Sequence, residues 1–346
     1  MPTSPPRTGE EGGSGKGGVA VPTIKDIANH ANVSICTVSR YLNNKIAVRR
    51  ETEERILAAI DDLGYVPNAV AQSLKRNSTA NVAVILPRIT SSYYSDMTGG
   101  ISGELAEHGY HLFIYEVEHM RKSEREILQI MRENLVAGVI FIGMSYDLSF
   151  LEQIPYLLDY KIPVVYANRR TDYRGYPLIY PDFQKAGHLA AQHLIERGRR
   201  RLALVHKHRY ETTAPHIQGF SDAARQAGLE PPLLLRVEPD AVSHDACVDQ
   251  LLRQEIDGVF VQNELLAVGI IKALSRRQVS VPNQVSVLGF GNSILGEISN
   301  PELSCIDLQN HALGVSSAKL ILQQINHKPV DPVTILDPFI LQRQST

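Results

Sequence analysis

Arg40 follows Ile35, Cys36 and Thr37 by about one helical turn in the run Ser34-Ile35-Cys36-Thr37-Val38-Ser39-Arg40. On a helix these residue types make a face that can read duplex DNA, because a guanidinium matches guanine O6 and N7 bidentately and an isoleucine packs on a thymine methyl. Ser34, Thr37, Ser39 and Asn43 carry short polar groups suited to phosphates or to the helix backbone. A plainer alternative stands beside each: a solvated arginine at position 40, and at position 36 a small thiol that simply fits. Cations also follow directly on apolar runs at Arg88, Lys207, His208 and Arg209. Converging from strand ends they would suit a carboxylate or phosphate ligand, and ordinary loop solvation is the competing reading.

Catalytic motifs are missing from the segments that come nearest to them. Gly15-Lys16 lacks the partners of a phosphate loop, since Glu10 replaces the first glycine and Gly17 the final hydroxyl. Gly289-Phe290-Gly291 follows a strand-like run, but Ile294 stands where a dinucleotide-binding loop needs its third glycine. Cys36, Cys247 and Cys305 are far apart and odd in number, without zinc spacing, so buried thiols in a reducing cytoplasm are expected. Neither a nucleophile elbow nor a metal-binding helix is present, and we expect no enzyme activity, no cofactor and no metal.

The elements that must position these residues divide the chain. Residues 1–21, with GEEGGSGKGG, are too polar to repay ordering and are expected to be a disordered tail. This segment has no apolar stretch of its own, which argues against a signal peptide or membrane anchor. Residues 22–66 form an expected headpiece of three short helices. Thr23 and Asp26 have capping-box spacing, and Ile24, Ile27, Ala28 and Ala31 share one face. Ala31-Asn32-Val33-Ser34 fits a helix-turn-helix corner, with Asn32 left-handed and Ser34 capping a second helix that turns Val38 and Leu42 inward. A third helix, 51–63, buries Ile56, Ala59, Ile60 and Leu63 and stops at Gly64.

From Asn81 onward, VAVIL, HLFIY, GVIFI, VVYA, RLALV, GVFV and VSVLGF alternate with amphipathic stretches such as 123–134, 183–197 and 263–276. Continuous apolar strands between helices indicate parallel sheets covered on both faces. So many strands are better divided into two doubly wound lobes, with a ligand cleft between them, over 80–346. The net charge of -2 over 346 residues leaves any DNA contact local, and residues 23–80 carry a small excess of Lys and Arg over Asp and Glu.

TIKDIANHANVSICTVSRYLNN, LGYVPNAVAQSLKR, HLIERGRRRLALV, QGFSDAA, NELLAVGIIKAL and VPNQVSVLGF, in this order and spacing, resemble the lactose/galactose repressor (LacI/GalR) family over nearly everything after residue 22. The resemblance implies an all-α helix-turn-helix headpiece plus an α/β periplasmic-binding-protein-like sensor of two doubly wound parallel-sheet lobes. It implies DNA contacts from Thr23, Ser34, Ile35, Cys36, Thr37, Ser39, Arg40 and Asn43. Residues 67–79 are similar to a hinge helix that folds on DNA, with Asn68 and Ala71 in contact and Leu74 wedged into the minor groove. A helix this short is marginal alone, so its folding can be coupled to the sensor.

For the cleft, the resemblance implies effector contacts from Tyr93, Tyr94, Asn168, Asp182, Phe183, His216, Glu264 and Asn292, to which Arg88 is added as a cation directly after a strand. Several positions depart from the family pattern: Asn168 for an Asp, Phe183 for an Asn, His216 for an Arg, Glu264 for an Asp, and Gly291-Asn292 for an acidic pair. The expected partners are palindromic operator DNA, a sugar, sugar-acid or sugar-phosphate effector, and a second copy of the chain, with no membrane. The chain closes on LQRQST without heptads, so no tetramer through a C-terminal coiled coil is expected. A solute-binding protein shares the two lobes but lacks such a headpiece.

Overall fold

The computed structural model describes residues 22–42, 47–65, 79–117, 124–143, 162–168, 175–207, 210–238 and 240–346. They fall into two compact units, divided between Gln72 and Ser73. The tail 1–21 and nearly all of the expected hinge lie outside the described residues.

The first unit holds α1 (Ile24–His30), α2 (Ile35–Leu42) and α3 (Arg50–Leu63). The Asp26 carboxylate accepts from the backbone N and the hydroxyl of Thr23, at 2.8 and 2.7 Å, satisfying a donor that the first turn leaves open. These bonds hold the Asp26 carboxyl below the usual carboxylate range. Asn32 turns the corner at φ 53°, and the Ser34 hydroxyl accepts from the Thr37 amide at 3.0 Å. Gly64 ends α3 at φ 58°, a conformation costly for residues with a Cβ. Ile27, Ala28, Ala31, Val38, Ile56 and Ala59 form the core of this unit.

The second unit is built on two six-stranded sheets. The first contains β1 (Asn81–Leu86), β2 (His111–Glu116), β3 (Gly138–Ile142), β4 (Val164–Ala167), β5 (Leu178–Pro181) and β11 (Val333–Leu336), in the order β11-β5-β4-β3-β1-β2. All its pairings are parallel. The second contains β6 (Leu202–His206), β7 (Leu233–Arg236), β8 (Gly258–Val261), β9 (Ser286–Phe290), β10 (Ser304–Asp307) and β12 (Phe339–Leu341), in the order β12-β10-β9-β8-β6-β7. Only β12 runs antiparallel, against β10. The seven apolar runs read from the sequence are all strands; β5, β7, β10, β11 and β12, each only three or four residues long, were not among them.

Helices α4 (Ser92–Glu107), α5 (Glu124–Glu133) and α11 (Asn310–Ile325) accompany the first sheet. The second has α6 (Phe183–Glu196), α7 (Tyr210–Gln226), α8 (Ala241–Arg253), α9 (Glu264–Arg276) and the short α10 (Ile294–Ile298). The chain therefore passes between lobes after β5, after β10 and after β11. The three crossings are laced together: the Asp182 amide donates to Leu336 O at 2.9 Å, the Gln309 carboxamide donates to Asp337 O at 2.7 Å, and Lys185 pairs with Asp337 at 2.8 Å.

One helix pair in each lobe closes on glycine. A Cβ on Gly100 of α4 would sit 2.3 Å from His311 O, and one on Gly314 of α11 would sit 2.0 Å from Met97 O. In the other lobe, a Cβ on Gly187 of α6 would meet His216 O at 2.1 Å, and one on Gly219 of α7 would meet Gln184 O at 1.9 Å. The obstacle each time is backbone, which cannot yield as a side chain can. We expect Gly219→Ala to lower unfolding free energy by about 1–3 kcal/mol through overpacking. Gly103→Ala on the open face of α4, where nothing lies within 4 Å, should instead be neutral or stabilising by up to about 1 kcal/mol. Paired denaturant titrations of the two variants check the sign of each.

Candidate functional site

The chemistry-bearing residues of the sensor gather at the carboxyl ends of the two sheets, where open α/β folds bind ligands. Tyr93, in the first turn of α4, packs against the apolar clusters of both lobes, and so does Phe183 at the start of α6. The Tyr93 ring lies stacked toward Phe290 at 6.5 Å and 13°, and edge-on to Tyr94 at 5.3 Å. Its hydroxyl donates to Asn168 Oδ1 at 2.8 Å. Burial pushes the Tyr93 phenol well above its usual range, so it acts there as a neutral donor.

Asn168 combines two demands. It occupies the left-handed region at φ 62°, which asparagine tolerates better than most residues, and it presents the oxygen that Tyr93 needs. His216, on α7, stands edge-on to Phe183 at 5.0 Å and to Phe290 at 4.8 Å. This apolar burial pushes its pKa down to about 3, so its imidazole is neutral. Asp182 caps α6, its carboxylate accepting from the Lys185 amide at 2.9 Å.

Glu264 and Asn292 belong to a linked polar set at the ends of β8, β9 and β10. Glu264 is buried and accepts from the Ser293 amide at 3.0 Å and from the Ser293 hydroxyl. Asn292 donates to Asp307 at 2.9 Å and accepts from Arg343 at 2.6 Å. Arg343 also donates to Leu303 O at 2.9 Å and pairs with Glu297 at 3.4 Å. The cations expected to converge are placed less centrally: Arg88 is exposed, Lys207 half-buried, and His208 and Arg209 lie outside the described residues.

In the first unit, α2 buries Val38 and turns Ser34, Ile35, Cys36 and Arg40 to solvent, with Ile35 47% exposed. Thr37 and Ser39 are half-buried and Thr23 serves α1 as its cap. A large aliphatic side chain left in water at the start of a helix, beside a free thiol and a guanidinium, has no role in the unit's own core. Asn43, Asn68, Ala71 and Leu74 lie outside the described residues.

Two family models match the chain. One, for bacterial regulatory proteins of the lacI family, covers residues 23–68, and the other, for periplasmic binding proteins and the sugar-binding domain of the LacI family, covers 79–342. The chain belongs to the LacI family. It is a DNA-binding transcriptional regulator that joins a helix-turn-helix headpiece to an effector-binding domain. The chain is 28% identical over 319 residues to the ribose operon repressor of Halalkalibacterium halodurans, across 89% of this chain and 92% of the relative. It is 29% identical over 332 residues to catabolite control protein A of Priestia megaterium, across 94% and 99%. A lac repressor dimer bound to operator and an anti-inducer shares the fold, with a TM-score of 0.82, 21% identity and coverage of 94% of this chain and 99% of that one.

Sequence reading did not single out Phe290, Gln262, Ser293, Asp307 or Arg343. Phe290 and Gln262 had a usable signal, since each ends or directly follows a predicted strand, as cleft residues do. Arg343 had none: it reaches Asn292 across 51 positions of chain only because β12 closes the second sheet. Among the described residues, no group of three or more His, Cys, Asp or Glu could hold a metal, and no helix is long and apolar enough to cross a membrane. Cys36 is exposed, while burial raises the thiols of Cys247 and Cys305 to about 12.

The neutral state of His216 has a consequence for stability. Its folded pKa lies below the unfolded value, so the unfolded chain takes up the proton first as pH falls through about 6.5. Stability should drop by about 2 kcal/mol between pH 7 and pH 5 from this residue, with His193 and His244, also lowered by burial, adding the same sign. His216→Phe should flatten that part of the curve in denaturant titrations across the range, and an unchanged slope would contradict the assignment.

Proposed function

We propose that this chain is a homodimeric repressor of carbohydrate-utilisation genes that binds a palindromic operator, with affinity set by a sugar or sugar derivative held between its two lobes. The observation that carries the DNA-reading half is α2, whose apolar Val38 is buried while Ile35, Cys36 and Arg40 face solvent. Arg40 reads a guanine, Ile35 packs on a thymine methyl, and Ser34, Thr37, Ser39, Thr23 and Asn43 fix the register on the backbone. Asn68 and Ala71 contact the DNA, and Leu74 is the minor-groove wedge.

The sensing half is supported by Tyr93 and Phe183. Because each packs on both lobes, a ligand inserted among these rings must change how the lobes meet. The sign of regulation then follows from which arrangement the ligand binds more tightly. Tyr94, Asn168 and His216 touch these rings, and Asp182, Glu264, Asn292 and Arg88 complete the proposed ligand contacts. Ligand and protein act by binding, without turnover, in the cytoplasm.

Dimerisation is supported by an apolar patch on α9 and α10, where Leu265, Ile294 and Ile298 are 55, 63 and 70% exposed. Large aliphatic side chains grouped on adjoining helices in this way mark an interface. We expect Ile294→Glu with Ile298→Glu to shift the sedimenting species from dimer to monomer at micromolar protein.

Selection from random duplexes at physiological salt, followed by fluorescence anisotropy, tests the DNA-binding reading. A palindromic site should bind about a thousandfold or more tighter than random duplex. Arg40→Ala should cost about 1–3 kcal/mol on that site with a much smaller effect on random DNA. Leu74→Ala should likewise weaken the selected site far more. Equal loss on both duplexes would remove the wedge role, and no preference for any palindrome would overturn the proposal.

A further inference from the structure

Two buried side chains beside Phe290 have hydrogen-bonding groups with nothing to bond among the described residues. His216 and Gln262 are 6% and 7% exposed. Among the described residues, neither ring nitrogen of His216 and neither the oxygen nor the nitrogen of the Gln262 carboxamide has a hydrogen-bond partner. Gln262 lies two positions beyond Phe260, which pairs with Leu288 of β9, so the register sets it beside Phe290 and on the face of Phe260. That face is the one packed under α6 and α7, from which His216 meets the Phe290 ring. The two polar groups thus flank one aromatic ring at the ligand-facing end of the second sheet.

Buried polar atoms are nearly always paired in folded proteins, and four orphaned ones at one sheet end call for a complement. A neutral imidazole offers one donor and one acceptor, and a carboxamide offers donors on nitrogen and an acceptor on oxygen. A hydroxyl both donates and accepts, so vicinal hydroxyls can satisfy all four atoms. A carboxylate or phosphate only accepts, and would leave the imidazole lone pair and the Gln262 oxygen unpaired against negative charge. Protonating His216 to welcome an anion would place a cation between Phe183 and Phe290 without a water contact, which burial opposes.

We propose that His216 and Gln262 form a specificity-determining pair that takes the hydroxyl edge of an uncharged ring ligand and rejects carboxylates and phosphates at the same place. The inference rests on the reading of the cleft as the effector site and narrows its ligand class. It also reverses the expectation drawn from Arg88 and Lys207. Arg88 is exposed and Lys207 only half-buried, and charge that solvent can screen discriminates less than unpaired groups that solvent cannot reach.

Thermal-shift and calorimetric titrations of the full chain decide it, using neutral aldopentoses, aldohexoses and disaccharides beside the matching aldonates and sugar 6-phosphates. A neutral member should stabilise the protein, and its aldonate and phosphate should bind at least tenfold more weakly. His216→Phe and Gln262→Leu should each weaken the best neutral ligand at least tenfold while the ligand-free melting temperature holds or rises, since the orphaned atoms are gone. His216→Gln, which keeps a donor and an acceptor, should recover part of the binding. An aldonate or phosphate that binds more tightly than the neutral sugar, or unaltered sugar binding by both apolar variants, overturns the pair's role while leaving the cleft as the effector site. If no compound binds and none changes operator affinity, the reading of the cleft fails and this inference with it.

Discussion

The two lobes of the sensor are tied by aromatic rings that belong to both of their cores. Tyr93 enters from the first lobe and Phe183 from the second, and each contacts apolar clusters on either side of the divide. Aromatic side chains suit this task, because one rigid ring buries a large area and, in tyrosine, still ends in a polar handle. The Tyr93 hydroxyl uses that handle on Asn168, whose left-handed backbone turns the carboxyl end of β4 toward it. The neutral state of His216 belongs to the same apolar contact, since its ring meets both Phe183 and Phe290.

The rest of the sensor keeps that contact in register. Three chain crossings are held together at Asp182, Gln309 and Asp337. Within each lobe, a pair of helices approaches to backbone contact through glycines, α4 with α11 and α6 with α7. Tyr93 stands on α4, while Phe183 and His216 stand on α6 and α7, so the helices that hold the cleft rings are the ones packed most closely.

The headpiece was legible to a fine level, since its signals are local. Thr23 and Asp26, Asn32, Ser34 and Gly64 each act through neighbours within a few residues, and they cap, turn and stop the helices where the sequence indicates. The seven apolar runs of the sensor were equally plain, because strands buried on both faces read as unbroken apolar stretches. β11 and β12 were not, for VTIL and FIL owe their strand state to edges supplied by β5 and β10.

The candidate site divides along the same line. Residue types and spacing by themselves determined the helix-turn-helix, the alternation of strand and helix, the family, and the strand-end positions proposed to meet a ligand. Only the tertiary structure decided which of those positions touch, that Tyr93 and Phe183 belong to both lobes, that Arg343 reaches Asn292, and that the side-chain polar atoms of His216 and Gln262 find no hydrogen-bond partner among the described residues. The physical reason is range: caps, turns and apolar periodicity act across a few residues, whereas burial and hydrogen-bond satisfaction depend on groups that chain crossings bring together from distant parts of the sequence.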